Sequence, residues 1–356
     1  AEFADELDNL GVRVAKLEKK SDNVKITGEA RFGYKDMEYT TRGFFTTRKD
    51  KDYSAQLRSR LYLSGAINDN WTYGAMLENT QSLDTNAQES KTDFRRAFVK
   101  GDLGNYTKIT AGRQAFTIGE GYTADLTGDA VKVDFGKVLK GTVFYGRFDT
   151  GVADTLYNRD GDVLFPRMPW FAATADKADT YGLALAYDFG NFYTKAAYYN
   201  TETSYRPYGL FFLPVTEQSR DIYTIGLGYK LDNNLDVYAE YLKASDAYQF
   251  ATAAGTMGDD GWAATLKYKG VKPTDSGSWG AYVSYYDQAG ATMIDHISEF
   301  DNALFEQGGI KGYEIGADYA MAKNVIGSVS YYDFESKDFP ALDSHNMLWS
   351  RVTFTF

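Results

Sequence analysis

From Val24 onward the chain alternates between apolar and polar side chains, and many of the polar members carry charge. Val24, Ile26, Gly28, Ala30, Phe32 and Tyr34 interleave with Lys25, Thr27, Glu29, Arg31, Gly33 and Lys35. Leu57, Leu61, Leu63 and Ile67 then oppose Gln56, Arg58, Arg60, Tyr62 and Ser64. A repeat of two marks extended strand, whose successive side chains point to opposite faces. The core of a soluble sandwich is dry and unpaired charge is costly there, so charge at successive inward positions of long strands argues against that architecture. A strand with lipid on one face and water on the other fits the pattern.

Further runs fall near 71–82, 92–103, 108–118, 128–135, 138–149, 178–189, 192–203, 220–231, 235–245, 261–269, 278–288, 310–321, 323–335 and 345–356. With the first two they make about sixteen strands, an even number. Short connections such as Asn68-Asp69-Asn70, Gly104-Asn105, Gly136-Lys137, Gly190-Asn191, Asp232-Asn233-Asn234 and Ala322-Lys323 alternate with long ones at 36–52, 150–177, 204–219, 246–260, 289–309 and 336–344. Tight turns at one rim and longer loops at the other produce this asymmetry; a sandwich gives no reason for it.

Composition agrees. Charged residues make up 24 % of the chain, too polar for a helical membrane protein, while 16 % aromatic content with 29 Tyr is too rich for a disordered one. No stretch approaches the roughly 20 apolar residues of a spanning helix, so any membrane crossing is by strands, and only a closed barrel satisfies their backbone groups. The expectation is an all-β protein: a transmembrane antiparallel β-barrel over residues 22–356, preceded by a short coiled-coil helix. The chain has no Cys, which removes disulfides, thiolate nucleophiles and Cys-ligated metals. Its net charge of −11 and lack of a Lys/Arg run argue against nucleic acid as a partner.

Residues 1–21 differ from the rest. Phe3, Leu7, Leu10, Val14 and Leu17 are spaced 4, 3, 4, 3 among charged residues. That is a heptad seam, the end of a stalk, with an amphipathic helix lying on its own protein as the alternative. No basic-then-apolar export signal opens the chain, as expected of a mature or trimmed form.

Catalytic chemistry has little to stand on. His296 and His345 are the only histidines, and no nucleophilic Ser on a Gly-rich elbow accompanies them. His296, beside Asp295 and Glu299, reads as part of a solvated surface loop. No cofactor or catalytic metal is expected. Ca²⁺ on acidic loops such as Asp259-Asp260, or at the Asp232 turn, is conceivable because hard cations take oxygen ligands. Two apolar loops, Phe165 to Phe171 and Tyr205 to Phe212, suit partner binding, packing on the rim, latching a neighbouring subunit or narrowing a pore. The pairs Tyr198-Tyr199, Tyr285-Tyr286 and Tyr331-Tyr332 each supply one outward and one inward ring.

Ser59-Arg60-Leu61-Tyr62-Leu63-Ser64-Gly65, and Arg95-Arg96-Ala97-Phe98-Val99 followed by Gly112-Arg113-Gln114, resemble strand segments of the general diffusion porins over residues 24 to 356. The terminal Phe356, on the alternating strand Trp349 to Phe356, resembles the assembly signal of bacterial outer-membrane proteins. Glu2 to Asp8 and Val14 to Lys25 resemble the stalk-to-barrel junction of the OmpM family, in which an S-layer-homology domain and a coiled coil precede a trimeric barrel. The resemblance implies a homotrimeric, non-enzymatic pore in the bacterial outer membrane, in contact with lipid and lipopolysaccharide, that passes small hydrophilic solutes and ions. It implies contact with peptidoglycan only through an N-terminal domain that this sequence does not include. A solute-specific channel or a barrel adhesin are the alternatives.

In porins the third external loop folds inward and sets acids against a basic wall. The stretch Thr117 to Asp129 takes that place here, with Glu120 and Asp125 as its acids. Resemblance assigns Arg60, Arg95 and Arg113 to the constriction, and parity adds Arg58. Alternation alone puts Arg95 outward with Ala97 and Val99. Glu29 stands where enterobacterial porins carry a Lys. The acidic total suggests a mild preference for cations.

Overall fold

The computed structural model describes residues 23–42, 47–84, 92–148, 178–205, 216–245, 258–294, 296–300, 309–338 and 343–356. The expected stalk seam (Phe3, Leu7, Leu10, Val14, Leu17) and the loop stretches 165–171 and 206–212 lie outside these residues.

The described chain forms sixteen strands: β1 (Val24–Arg42), β2 (Thr47–Ala66), β3 (Trp71–Ser82), β4 (Asp93–Asp102), β5 (Thr107–Ile118), β6 (Ala124–Phe135), β7 (Leu139–Phe148), β8 (Ala178–Phe189), β9 (Phe192–Tyr205), β10 (Thr216–Lys230), β11 (Leu235–Ala244), β12 (Asp260–Lys269), β13 (Trp279–Gln288), β14 (Ile310–Ala322), β15 (Val325–Ser336) and β16 (Asp343–Thr355). Each pairs antiparallel with its neighbours in sequence, and β1 pairs with β16 to close the barrel. At that seam Gly28 N donates to Phe356 O at 2.8 Å and Phe356 N to Gly28 O at 3.0 Å. Closure gives every strand a hydrogen-bonded neighbour on each side, the condition for crossing lipid with strands.

The alternation sorts the two faces. Phe32, Leu61, Val143, Ile225, Leu227, Ile315 and Val329 are exposed on the outer surface. Trp279 and Tyr268, with ring centroids 5.5 Å apart, and Phe189 stacked on Phe192 at 5.9 Å sit by the short turns, where aromatic girdles meet the membrane boundary. The tyrosine pairs split between the faces: Tyr199, Tyr286 and Tyr332 are buried inside, and their neighbours face out.

Three local expectations need correction. Residues 36–52 are not a long loop, because β1 and β2 run on as a paired hairpin to Arg42 and Thr47. These strands have 19 and 20 residues, about twice the 9–11 that span a bilayer, so polar alternation continues above the membrane. Second, the connection expected at 117–129 shrinks to residues 119–123, since β5 and β6 pair from Thr107 opposite Phe135 up to Ile118 opposite Ala124. Third, strict alternation fails in β4. Met76 lies opposite Arg96 and Leu77 opposite Phe94, so Arg95 is the extra residue of a β-bulge.

Candidate functional site

The β5–β6 hairpin leaves the barrel wall. Strand β4 pairs with β5 only from Asp102–Lys108 to Ala97–Arg113, and β7 pairs with β6 only over Gly128–Phe135. Residues 114–127 therefore have only each other as ladder partners. The bend begins at Gly112, whose φ of +118° disfavours any side chain and whose added Cβ would lie 2.5 Å from Ala97 O. Gln114 secures the bend: its amide Nε2 donates to Thr110 O at 3.3 Å, Gly112 O at 3.4 Å and Ala130 O at 3.0 Å.

One face of this hairpin is apolar and packs on the inner wall. Phe116 meets Phe144 and Phe148 at centroid distances of 4.5 and 5.2 Å, and Ala124 and Leu126 join Tyr199, Ile222 and Ala244 in one buried cluster. The opposite face carries Arg113, Thr117, Asp125 and Asp129. Arg113 makes two hydrogen bonds of 2.7 Å to Asp129, and Thr117 donates to Asp125 at 2.5 Å.

The tip reaches the far side of the lumen. Glu120 pairs with Lys195 on β9 and with Lys267 on β12, the latter at 3.1 Å. Burial disfavours its charge, but the Lys195 hydrogen bond and the two ammonium charges outweigh it and hold the carboxyl below the usual range. Gly119, at φ +63°, brings the backbone so close to the Glu240 carboxylate that an added Cβ would sit 2.8 Å from it. Tyr122 shares a 2.6 Å hydrogen bond with Thr265, and Gln288 Nε2 donates to Tyr122 O at 2.7 Å.

The β13–β14 connection folds inward too, which sequence reasoning missed. After the 3-10 turn Gly290–Thr292, Ile294 N donates to Thr123 O at 2.8 Å and Ile297 N to Gly121 O at 3.0 Å, docking this segment on the hairpin tip. His296 is not a solvated loop residue. It lies 6.2 Å from the Tyr122 ring and 4.9 Å from Tyr286, and burial pushes its imidazole down to about 3. Glu299 reaches Arg31 at 3.4 Å, and Lys35 Nζ donates to Glu299 O at 3.1 Å. Burial opposes the Glu299 charge, yet Arg31 and Lys35 keep its carboxyl below the usual range. A signal for this inward fold was present in Ala289, Ala291, Met293 and Ile294, an apolar run in a supposedly external loop.

A basic wall on β1–β4 and β16 completes the enclosure. Arg58 pairs with Glu29 at 2.9 Å, Arg60 with Glu78 at 2.5 Å and with Glu29 at 3.6 Å, and Arg95 with Glu78 at 3.5 Å. Arg31 feels the charges of Arg58, Arg60 and Arg351, and Arg96 those of Arg60, Glu78 and Asp125. Arg351 lies 4.4 Å from the Trp349 ring centroid. The fold thus gathers Arg58, Arg60 and Arg95 on one wall and brings Asp125 toward it. Glu120 does not face that wall, because the tip carries it past to Lys195 and Lys267. Arg113 stands apart as well, on the hairpin with Asp129. Arg96 was missed because the resemblance pointed to Arg95, although alternation with outward Ala97 and Val99 already put Arg96 on the inner face.

Among the described residues no group of three or more His, Cys, Asp or Glu side chains is placed to hold a metal ion. The acids considered for Ca²⁺ have structural uses: Asp259 pairs with Lys243 at 2.8 Å, and Asp232 accepts from Asn234 N and Leu235 N in its turn.

A closed barrel with an apolar exterior, a charged interior and a hairpin folded into its lumen defines a transmembrane β-barrel channel. Residues 4–346 match the Gram-negative porin family, and the chain belongs to it. Among solved structures, a high-pH structure of Pseudomonas putida OprB is 10 % identical, with a TM-score of 0.60 over 98 % of this chain and 97 % of that one. A triple mutant of Rhodopseudomonas blastica porin is 16 % identical, with a TM-score of 0.49 over 94 % of this chain and 100 % of that one. At these identities the likeness is one of fold. No curated protein sequence matches the chain. The protein is an outer-membrane porin of the bacterial envelope, a non-enzymatic channel.

Proposed function

We propose that this porin passes small hydrophilic solutes and ions by passive diffusion, as one subunit of a homotrimer, through a constriction between the inward hairpin and the basic wall. The observation that carries the reading is the departure of residues 114–127 from the barrel wall, which brings Asp125 toward Arg96. Arg58, Arg60 and Arg95, joined by Arg96, form the basic side. Asp125 is the facing acid, with Arg113 and Asp129 as a neutral pair beside it. Glu120 anchors the tip. Opposed fixed charges across a narrow polar passage orient dipolar solutes, and apolar ones must shed hydration to enter.

Residues 1–21 are proposed as the end of a coiled-coil stalk and 22–356 as the barrel domain. The resemblance of residues 2–25 to the OmpM stalk-to-barrel junction supports this division and a tether to peptidoglycan through an S-layer-homology domain in the full-length form. Phe356 is proposed as the assembly signal, and the outer rim as the contact with lipopolysaccharide. Conductance in planar lipid bilayers tests the pore. Ohmic steps closing in thirds and altered by Arg60→Ala support a trimer of open pores, whereas folded, heat-modifiable protein without conductance refutes it.

A further inference from the structure

Six guanidinium groups, those of Arg31, Arg58, Arg60, Arg95, Arg96 and Arg351, crowd the basic wall, against the carboxyl groups of Glu29, Glu78 and Glu299, with Asp125 and Glu314 acting through space on Arg96 and Arg351. The local balance is therefore positive, opposite in sign to the net charge of the chain. Charges in the outer loops are screened beyond about 8 Å at physiological salt, so the nearest fixed charges dominate what a passing ion meets.

Within this cluster Arg96 is distinct. It lies on the inner face opposite Met76, next to the bulge at Arg95, and among the described residues it makes no ion pair. Its Nε is buried without a hydrogen-bond partner among the described residues, as is the Nε of Arg58. Asp125 acts on Arg96 through space, outside ion-pair distance. Among the described residues Arg351 has an aromatic ring, that of Trp349, rather than a carboxylate as its close partner. A guanidinium fork matches the two oxygens of a carboxylate or phosphate in one plane, and an anion that donates no proton suits an unmet N–H.

We propose that this wall is a transient oxyanion site with Arg96 at its centre, and that the pore passes anions ahead of cations, small carboxylates and phosphates among them. The inference rests on the pore reading given above and adds the class of solute. Its source is the surplus of guanidinium over carboxylate at the wall, with Arg96 as the group left to bind.

The test uses purified, folded protein in planar bilayers, with reversal potential measured across a potassium chloride gradient and succinate then added as a competing anion. The expected result is a reversal potential of anion-selective sign, with the chloride current reduced by succinate. In Arg96→Gln the chloride-to-potassium permeability ratio should fall about sixteenfold, since removal of one unit charge about 5 Å from the ion path in a high-dielectric lumen disfavours chloride about fourfold and favours potassium about fourfold. Arg96→Lys keeps the charge but not the fork, and should retain the selectivity while losing most of the succinate block. A cation-selective wild type, or a succinate block unchanged in both variants, overturns the oxyanion site and leaves the pore standing. Absence of any conductance overturns the pore itself. Heat-modifiability of each variant establishes that it is folded before its currents are compared.

Discussion

Replacing Glu120 by Gln should loosen the tip of the inward hairpin without removing it from the lumen. The wild-type carboxylate bridges Lys195 and Lys267, whose side chains are 29 % and 52 % exposed. A charge-assisted hydrogen bond is worth about 1.5–3 kcal/mol when sheltered, and an exposed pair under about 1 kcal/mol, so loss of the charge removes about 2 kcal/mol of docking energy. That lowers the docked-to-undocked ratio about 30-fold. The contacts of Tyr122 and of the β13–β14 segment persist, so the docked state stays dominant and the undocked state becomes frequent enough to record. Single-channel traces at pH 7 should show transitions between conductance levels about 30-fold more often in Glu120→Gln than in the wild type. Acid should reproduce the effect. The folded-state pKa of Glu120 lies below its ordinary value of 4.5, so the bridge is complete above that value and is lost as pH falls through the lower one. The variant should show no such acid step of its own. Equal transition frequencies at pH 7 in variant and wild type would refute the reasoning.

Three further outcomes follow from the geometry. Gly112→Ala should cost about 2–3 kcal/mol, from positive φ and the approach of Ala97 O, read as a lower urea midpoint for the heat-modifiable band; an unchanged midpoint means the bend tolerates a side chain. Leu227→Arg, on the outer face of β10, should reduce folding into liposomes by about 2–4 kcal/mol, while Ser64→Arg on the inner face of β2 should leave the yield near wild type. His296 has its pKa lowered from 6.5 to about 3, so the docked β13–β14 segment should lose about 1.4 kcal/mol of stability per pH unit as pH falls below 6.5. Hydrogen exchange at residues 290–294 and 296–300, corrected for intrinsic rates, should show this loss, and His296→Phe should abolish the part between pH 6.5 and 4.5, leaving below it only the acid steps of Glu299 and Glu120.

Much of the barrel was legible because lipid imposes a rule on every second residue. Val24 through Tyr34, and Leu57 through Ile67, follow it without exception for charge, and the split tyrosine pairs obey it. The rule lapses wherever lipid is absent. Above the membrane the outward positions of β1 and β2 turn polar, with Asp36, Glu38 and Lys51, so residues 36–42 and 47–52 read as loop although they are strand. Inside the lumen the β5–β6 hairpin has wall on one side and water on the other. Its acids therefore resemble loop acids in sequence, and only the pairing shows Glu120 and Asp125 facing different walls. Arg95 and Arg96 mark a further limit. Two adjacent arginines on one strand look contradictory until the bulge is seen, and a bulge depends on the partner strand rather than on local sequence.

The hairpin has a mechanical consequence as well. It is rooted where β4 and β7 flank it and fastened at Glu120 to β9 and β12, so it spans the interior as a cross-brace. A cylinder of strands resists stretching along its hydrogen bonds but yields readily to flattening, and an internal strut opposes that deformation. In this protein the part that narrows the passage also keeps its section round, so trimming the tip to widen the bore would also soften the shell around it.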